Sequence, residues 1–279
     1  IEYCCSPNSS LCSEKYAIQD GKKVARIRLT EKHDLTKQAG LDYAMRALHH
    51  FAECGPKIFL WASVPCTGGC GWQHVNKYQC ANHTANQAYH FRTFNKLYHN
   101  FMKLATEVRA LKGKIAWEWP DNNSMWKFPK IRKMIKIFDL VPVRFHGCAV
   151  GCMSKDNKPH KKPWKFVTDI EDLRKRFKNK KCKHKPHEHE QVRGSHTKKT
   201  GYYPEKMTTE VHKAIQDTIA KLMLESSDPK GCSSKDDKLD PAPETPKRIP
   251  TKQCDTPDKG DRLNEPRLSS PHFGPAVDL

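Results

Sequence analysis

The sequence predicts an α/β protein built on a doubly wound, mostly parallel sheet and followed by a disordered tail. Three observations lead there. Short runs rich in β-branched and aromatic residues alternate with longer segments whose apolar residues recur at helical spacing. The apolar run at residues 58–64 is uninterrupted, which suits a strand covered on both faces. Beyond Glu225, Pro, Lys, Asp, Ser and Thr dominate, and so sparse an apolar content cannot offset the entropy of ordering a chain. The expected division is an α/β domain over 1–224, including a basic Cys/His loop at 155–200, and a tail over 225–279.

The elements follow in order. Residues 2–5 read as a short strand, closed by the turn cluster Ser6-Pro7-Asn8-Ser9-Ser10. A short helix over 11–18 and a second strand over 23–29 come next, then a polar loop at 30–34. Leu41, Ala44, Met45, Leu48, Phe51 and Ala52 mark a helix over 41–54 that stops before Gly55-Pro56. After the strand at 58–64, a long helix over 86–111 carries Phe91, Phe94, Leu97, Phe101, Leu104, Val108 and Leu111 on one stripe. Lys112-Gly113 ends it. A strand over 114–120, a helix over 131–138 and strands at 141–145 and 166–168 follow. A basic helix over 169–178 and a last helix over 204–224 complete the domain.

Composition narrows the function. The 279 residues carry a formal net charge of +19, and 37% are hydrophobic. That excess of cations calls for a polyanionic partner, most simply nucleic acid. No long apolar segment or basic amphipathic helix points to a membrane. The twelve cysteines lie largely within apolar runs of a long chain, unlike a small disulfide scaffold. They read as reduced thiols of an intracellular protein, nuclear or cytoplasmic rather than secreted. The chain starts without Met and reads as a piece of something longer.

Two constellations could carry chemistry. The strand at 58–64 delivers Pro65-Cys66-Thr67-Gly68-Gly69 to the carboxyl end of the sheet, where open α/β sheets bind ligands. A partly exposed thiol there could attack as thiolate, and the alternative is a buried strand-end cysteine. Glu118 ends the strand at 114–120. Parallel neighbours would bring it to the same rim as a general acid, unless it caps a helix or pairs with a lysine. The second constellation is Cys182, His184, His187 and His189, with His196 beyond. Thiols and imidazoles are good zinc ligands, and Cys148 with Cys152, or Cys66 with Cys70, could complete a site. The alternative is a solvated basic loop. The segment 155–185, with Trp164, Phe166 and Phe177 interleaved, suits phosphate contacts plus base stacking. The same rings read equally well as core beneath a lysine surface.

The order of motifs resembles that of DNA cytosine-5 methyltransferases. It runs strand, Pro65-Cys66, glycine-rich turn, long helix, strand ending in Glu118, then the basic Lys161-Lys162-Pro163-Trp164-Lys165. With Trp72-Gln73, Asn76 and Glu118-Trp119-Pro120 it is most similar to methyltransferase-like segments of eukaryotic retroelement polyproteins, over about residues 1–222. The resemblance implies a Rossmann-like class I fold and S-adenosylmethionine as methyl donor. It implies a flipped cytosine as target, DNA rather than RNA as partner, Cys66 as nucleophile and Glu118 as the acid touching the base. Glu2, Cys5, Pro7 and Ser9 would form the first cofactor loop, Glu31 would bind the ribose, and Asp34 and Pro65 would also contact the cofactor. Lys161, Lys162, Lys165, Arg174 and Lys175 would contact nucleic acid. The alternative is a catalytically inactive nucleic-acid-binding module on the same scaffold, with or without zinc.

Overall fold

The structure, a computed structural model, describes residues 1–19, 21–53, 57–154, 156–190 and 201–227. It is an α/β protein with a six-stranded mixed, mostly parallel sheet. The strands are β1 (Glu2–Tyr3), β4 (Arg28–Leu29), β5 (Phe59–Ala62), β6 (Lys114–Pro120), β7 (Val141–His146) and β8 (Pro163–Thr168), in the spatial order β4-β1-β5-β6-β8-β7. β8 alone opposes the others, because it pairs antiparallel with both β6 and β7. A separate hairpin joins β2 (Ile18–Gln19) to β3 (Lys22–Lys23).

The helices are α1 (Gln38–Ala52), α2 (Trp72–Gln79), α3 (His83–Ala110), α4 (Pro129–Ile137), α5 (Glu171–Phe177) and α6 (Glu205–Ser227). They cover both faces of the sheet. Leu41 and Leu48 of α1, Phe94, Leu97 and Phe101 of α3 and Ile131 of α4 pack with Tyr3, Leu60, Trp117 and Trp119 on one face. Leu173 and Phe177 of α5 and Met207, Val211 and Ala214 of α6 pack with Trp61, Ala116, Phe145 and Phe166 on the other. Successive strand residues point to opposite faces. Trp117 and Trp119 therefore turn toward α3, while Glu118 shares the opposite face with Ala116.

The last helix, α6, runs through Ser227. The rest of the predicted tail, 228–279, lies outside the described residues. Three expectations are corrected. The predicted helix at 11–18 is two single 3₁₀ turns, Ser10–Cys12 and Glu14–Tyr16, each started by a serine side chain accepting a backbone N–H. The predicted strand at 23–29 divides between the hairpin and β4, because the chain reverses at Gly21, whose φ of +72° suits a residue without a Cβ. Trp164, Phe166 and Phe177 are all buried, so they belong to the core and offer no face to an incoming base.

Candidate functional site

The strand order reverses at β1, which has β4 on one side and β5 on the other, both parallel to it. Such a switch point opens a crevice beyond the carboxyl ends of the strands. A cavity of about 190 Å³ lies there, lined by Glu2, Ser9, Pro65, Cys66, Glu118 and Lys162 among others. The exits of β5 and β6 are locked together behind it. The Trp119 indole N–H donates to the Val64 carbonyl at 2.6 Å, and the Asn123 amide donates to the Cys66 carbonyl at 2.8 Å. Gly69 lets this loop approach, because a Cβ there would lie 2.3 Å from Asn123 Oδ1. Cys66 and Glu118 thus meet in one cavity, as their places at neighbouring strand ends predicted.

Their ionisation is set by burial. Desolvation raises the Glu118 carboxyl, opposed by the Lys162 ammonium and a hydrogen bond from Tyr203. Burial pushes the Cys66 thiol up to about 11, with Glu118 adding to the rise and Lys162 opposing it. Cys66 is therefore a thiol at neutral pH, not a thiolate. Glu118 Oε1 is buried without a hydrogen-bond partner, which leaves one polar atom available to a ligand.

Tyr203 lines the cavity and links its walls. Its hydroxyl donates to Glu118 Oε2 at 2.8 Å, accepts from Trp61 Nε1 at 3.0 Å and lies 2.7 Å from Ser63 Oγ. Burial, and then the nearby Glu118 and Glu2, hold its phenol far above the ordinary range. A tyrosine in a loop before a helix gives no periodic or motif signal, so the sequence reading missed it. Glu2 is the cavity's second buried acid. Its Oε1 accepts from Ser9 Oγ at 2.7 Å, and desolvation raises its pKa.

The remaining residues assigned to the cofactor are dispersed. Cys5 and Ser9 line the cavity, whereas Pro7, Glu31 and Asp34 are not among its lining residues. Asp34 is taken up locally by Thr36 and Lys37, which lower its pKa. The loop after β1 has no glycine between Cys4 and Ser9. Instead Cys4 takes a φ of +61°, a left-handed conformation that costs a residue with a Cβ roughly 1–2 kcal/mol. Sites for drug-sized ligands span roughly 300–1,000 Å³. The cavity of about 190 Å³, with Tyr203 in its wall and no glycine at the close approach, is small for S-adenosylmethionine as it stands.

A second cluster lies on the same rim. Cys148 follows β7, and Cys182 follows α5 where the His146 N–H donates to the Lys180 carbonyl. One donor atom from each of Cys148, Cys182, His184 and His189 lies within 4.8 Å of the others, so the group could hold a metal ion. Cys182 Sγ is 3.1 Å from His189 Nε2 and 3.6 Å from His184 Nδ1. Tetrahedral zinc with ordinary Zn–S and Zn–N bonds would set such sulfur–nitrogen edges at about 3.5 Å. His189 Nδ1 lies 3.4 Å from the Pro186 carbonyl, the second contact that fixes a metal-binding imidazole. His187 is corrected. It occupies the middle of the 3₁₀ turn Pro186–Glu188 and is exposed, while His184 and His189 flank that turn. Cys148, distant in sequence, supplies the fourth donor. His196 lies outside the described residues.

The predicted phosphate contacts divide. Lys161 and Lys162 precede β8 at this rim, with Lys162 Nζ 4.5 Å from the Trp164 ring centre. Lys165 is buried, 3.3 Å from Asp121 and over the Trp126 ring at 4.2 Å, so an internal pairing holds its charge. Arg174 is half-buried on α5, and Lys175 pairs with Glu171 one turn away at 2.7 Å.

Comparison of the chain with protein-family models, curated proteins and solved structures finds no match. Among the described residues, no helix is long and apolar enough to cross a membrane.

Proposed function

We propose that this chain is a nucleic-acid-binding domain on a doubly wound, class I methyltransferase-like scaffold, with a structural zinc ion fastening its basic rim. One observation carries the reading. The four-donor cluster, which could hold a metal ion, joins the strip bearing Lys181, Lys183 and Lys185 to Cys148 on the rim that also carries Lys161 and Lys162. Two thiols and two imidazoles, with no fifth donor grouped with them among the described residues, suit zinc in a closed, structural site, rather than magnesium or calcium. Fastened lysines meet phosphates without first losing the freedom of a loose strip. Such binding is largely blind to sequence and weakens with salt.

The test starts from the purified chain. Metal analysis should find one zinc per chain, lost in Cys148→Ser and kept in His187→Ala. DNA affinity should fall steeply as salt rises, and fall again after chelation. A metal-free chain whose stability ignores chelator would remove the zinc, and affinity indifferent to salt would remove the polyanion.

The shared cavity of Cys66 and Glu118 favours a second reading, methylation of cytosine on DNA. A carboxyl whose pKa burial raises is better able to donate to a ring nitrogen, and the unpartnered Oε1 supports such a contact. Calorimetric titration with S-adenosylmethionine separates the readings. Measurable heat that Cys66→Ser leaves intact, together with methyl transfer that it abolishes, would favour the enzyme. A flat titration would favour the binding domain.

A further inference from the structure

We infer that α2 is a stacking platform for the unpaired bases of a single-stranded nucleic acid. The inference rests on the nucleic-acid reading above and specifies which form is bound. None of the residues of α2 is buried. Yet it carries Trp72, Val75 and Tyr78, exposed at 41%, 37% and 84%, spaced three apart on neighbouring turns of one side. Helices owe most of their stability to packing of an apolar face, and here much of that face stays open to solvent. Polar contacts hold α2 in place. Gln73 Nε2 donates to the Thr67 carbonyl at 2.9 Å, and His83 Nε2 lies 3.1 Å from Gln73 Oε1. These tie it to the turn that follows Cys66, next to the cavity.

Charge decides the occupant. Between Glu53 and Glu107 the sequence contains no acidic residue. The span holds all of α2 and most of α3, with Lys77, Arg92 and Lys96 alongside His74, His83 and His90. Lys77 Nζ lies 5.8 Å from the Tyr78 ring centre. An aromatic surface in a cationic, acid-free setting fits a flexible polyanion that presents π-faces, which is single-stranded DNA or RNA. A duplex hides its base faces and would meet only the charges.

Tryptophan fluorescence tests this directly, because Trp61, Trp117, Trp119, Trp126 and Trp164 are buried and Trp72 is exposed. Titrating the full chain with oligo(dT) should quench the red edge of the emission, and Trp72→Phe should remove that quench while retaining affinity. Tyr78→Ala should weaken oligo(dT) binding roughly 5- to 150-fold, the range expected for one stacked base. Duplex affinity should stay unchanged, and Tyr78→Phe should restore binding. Because neither ring is buried, circular dichroism should show every variant folded. Equal oligo(dT) affinity in wild type and Tyr78→Ala, with salt-dependent binding intact, would overturn the platform and spare the nucleic-acid reading. No binding of either nucleic acid form by the wild type would sink both. A concentration-dependent dimer abolished by Tyr78→Ala would assign the face to a second copy and refute the inference.

Discussion

Replacing Tyr203 with phenylalanine removes a single oxygen from the wall of the cavity, and the structure sets the cost. That hydroxyl serves Glu118 Oε2, Trp61 Nε1 and Ser63 Oγ. Trp61 and Glu118 are buried, whereas Ser63 keeps some access to solvent. The variant therefore strands one buried indole donor and one buried carboxyl oxygen, at roughly 1–3 kcal/mol each. Glu118 is raised toward its neutral form, which places its share at the lower end, and a total of about 3 kcal/mol results. For a domain of this size each kcal/mol moves Tm by roughly 2–4 °C, so Tyr203→Phe should melt about 6–12 °C below wild type. Tyr202→Phe is the control, because Tyr202 is 48% exposed and should change stability by less than about 0.5 kcal/mol. Differential scanning calorimetry at neutral pH reads both. If Tyr203→Phe melts within a degree of wild type and of the control, the hydroxyl is not anchored as described, and the case against the cofactor loses its main support.

Two further predictions concern the same crevice. A buried acid whose folded pKa lies above its ordinary value of 4.5 holds a proton that the unfolded chain has released. Stability from Glu118 therefore falls as pH rises from about 4.5 through the raised folded value. Glu118→Gln should flatten that decline in urea titrations between pH 5 and 8, with Glu2 supplying the residual slope; identical slopes in the two proteins would contradict the assignment. In Gly69→Ala, the new Cβ would fall 2.3 Å from Asn123 Oδ1 and 2.6 Å from Met125 Cγ, both in buried residues. Overpacking of this kind costs roughly 1–3 kcal/mol, and a melting temperature equal to wild type would show that the loop yields freely.

What the sequence revealed depended on how much pattern each element leaves. Strand 114–120 was legible to the residue because burial on both faces leaves a short run, Ile115 to Trp119, that is apolar except at Glu118. The stripe from Phe94 to Val108 announced α3 for the equivalent reason. In contrast α2 buries none of its eight residues, and three apolar positions over two turns are too short a stripe to announce a helix. The β2–β3 hairpin was signalled only by Asp20-Gly21, easily lost in a polar stretch. Cys66 and Glu118 were found because strand ends are visible in sequence and parallel order brings them to one rim. The fourth metal donor was harder. Local spacing favoured His187, but a 3₁₀ turn carries it away, and β7 returns Cys148 from far upstream.

The placement of β8 between β6 and β7 bears on how this chain reaches its native state. β7 emerges from the ribosome before its neighbour, since its sole partner among the described residues is the strand made after it. Until residue 168 has been synthesised, β6 likewise offers an open edge to whatever lies nearby. Pairings of that separation are slow to form, and unpaired edges invite association with other chains. Nascent fragments cut short between β7 and β8 should accordingly be the form most in need of chaperones.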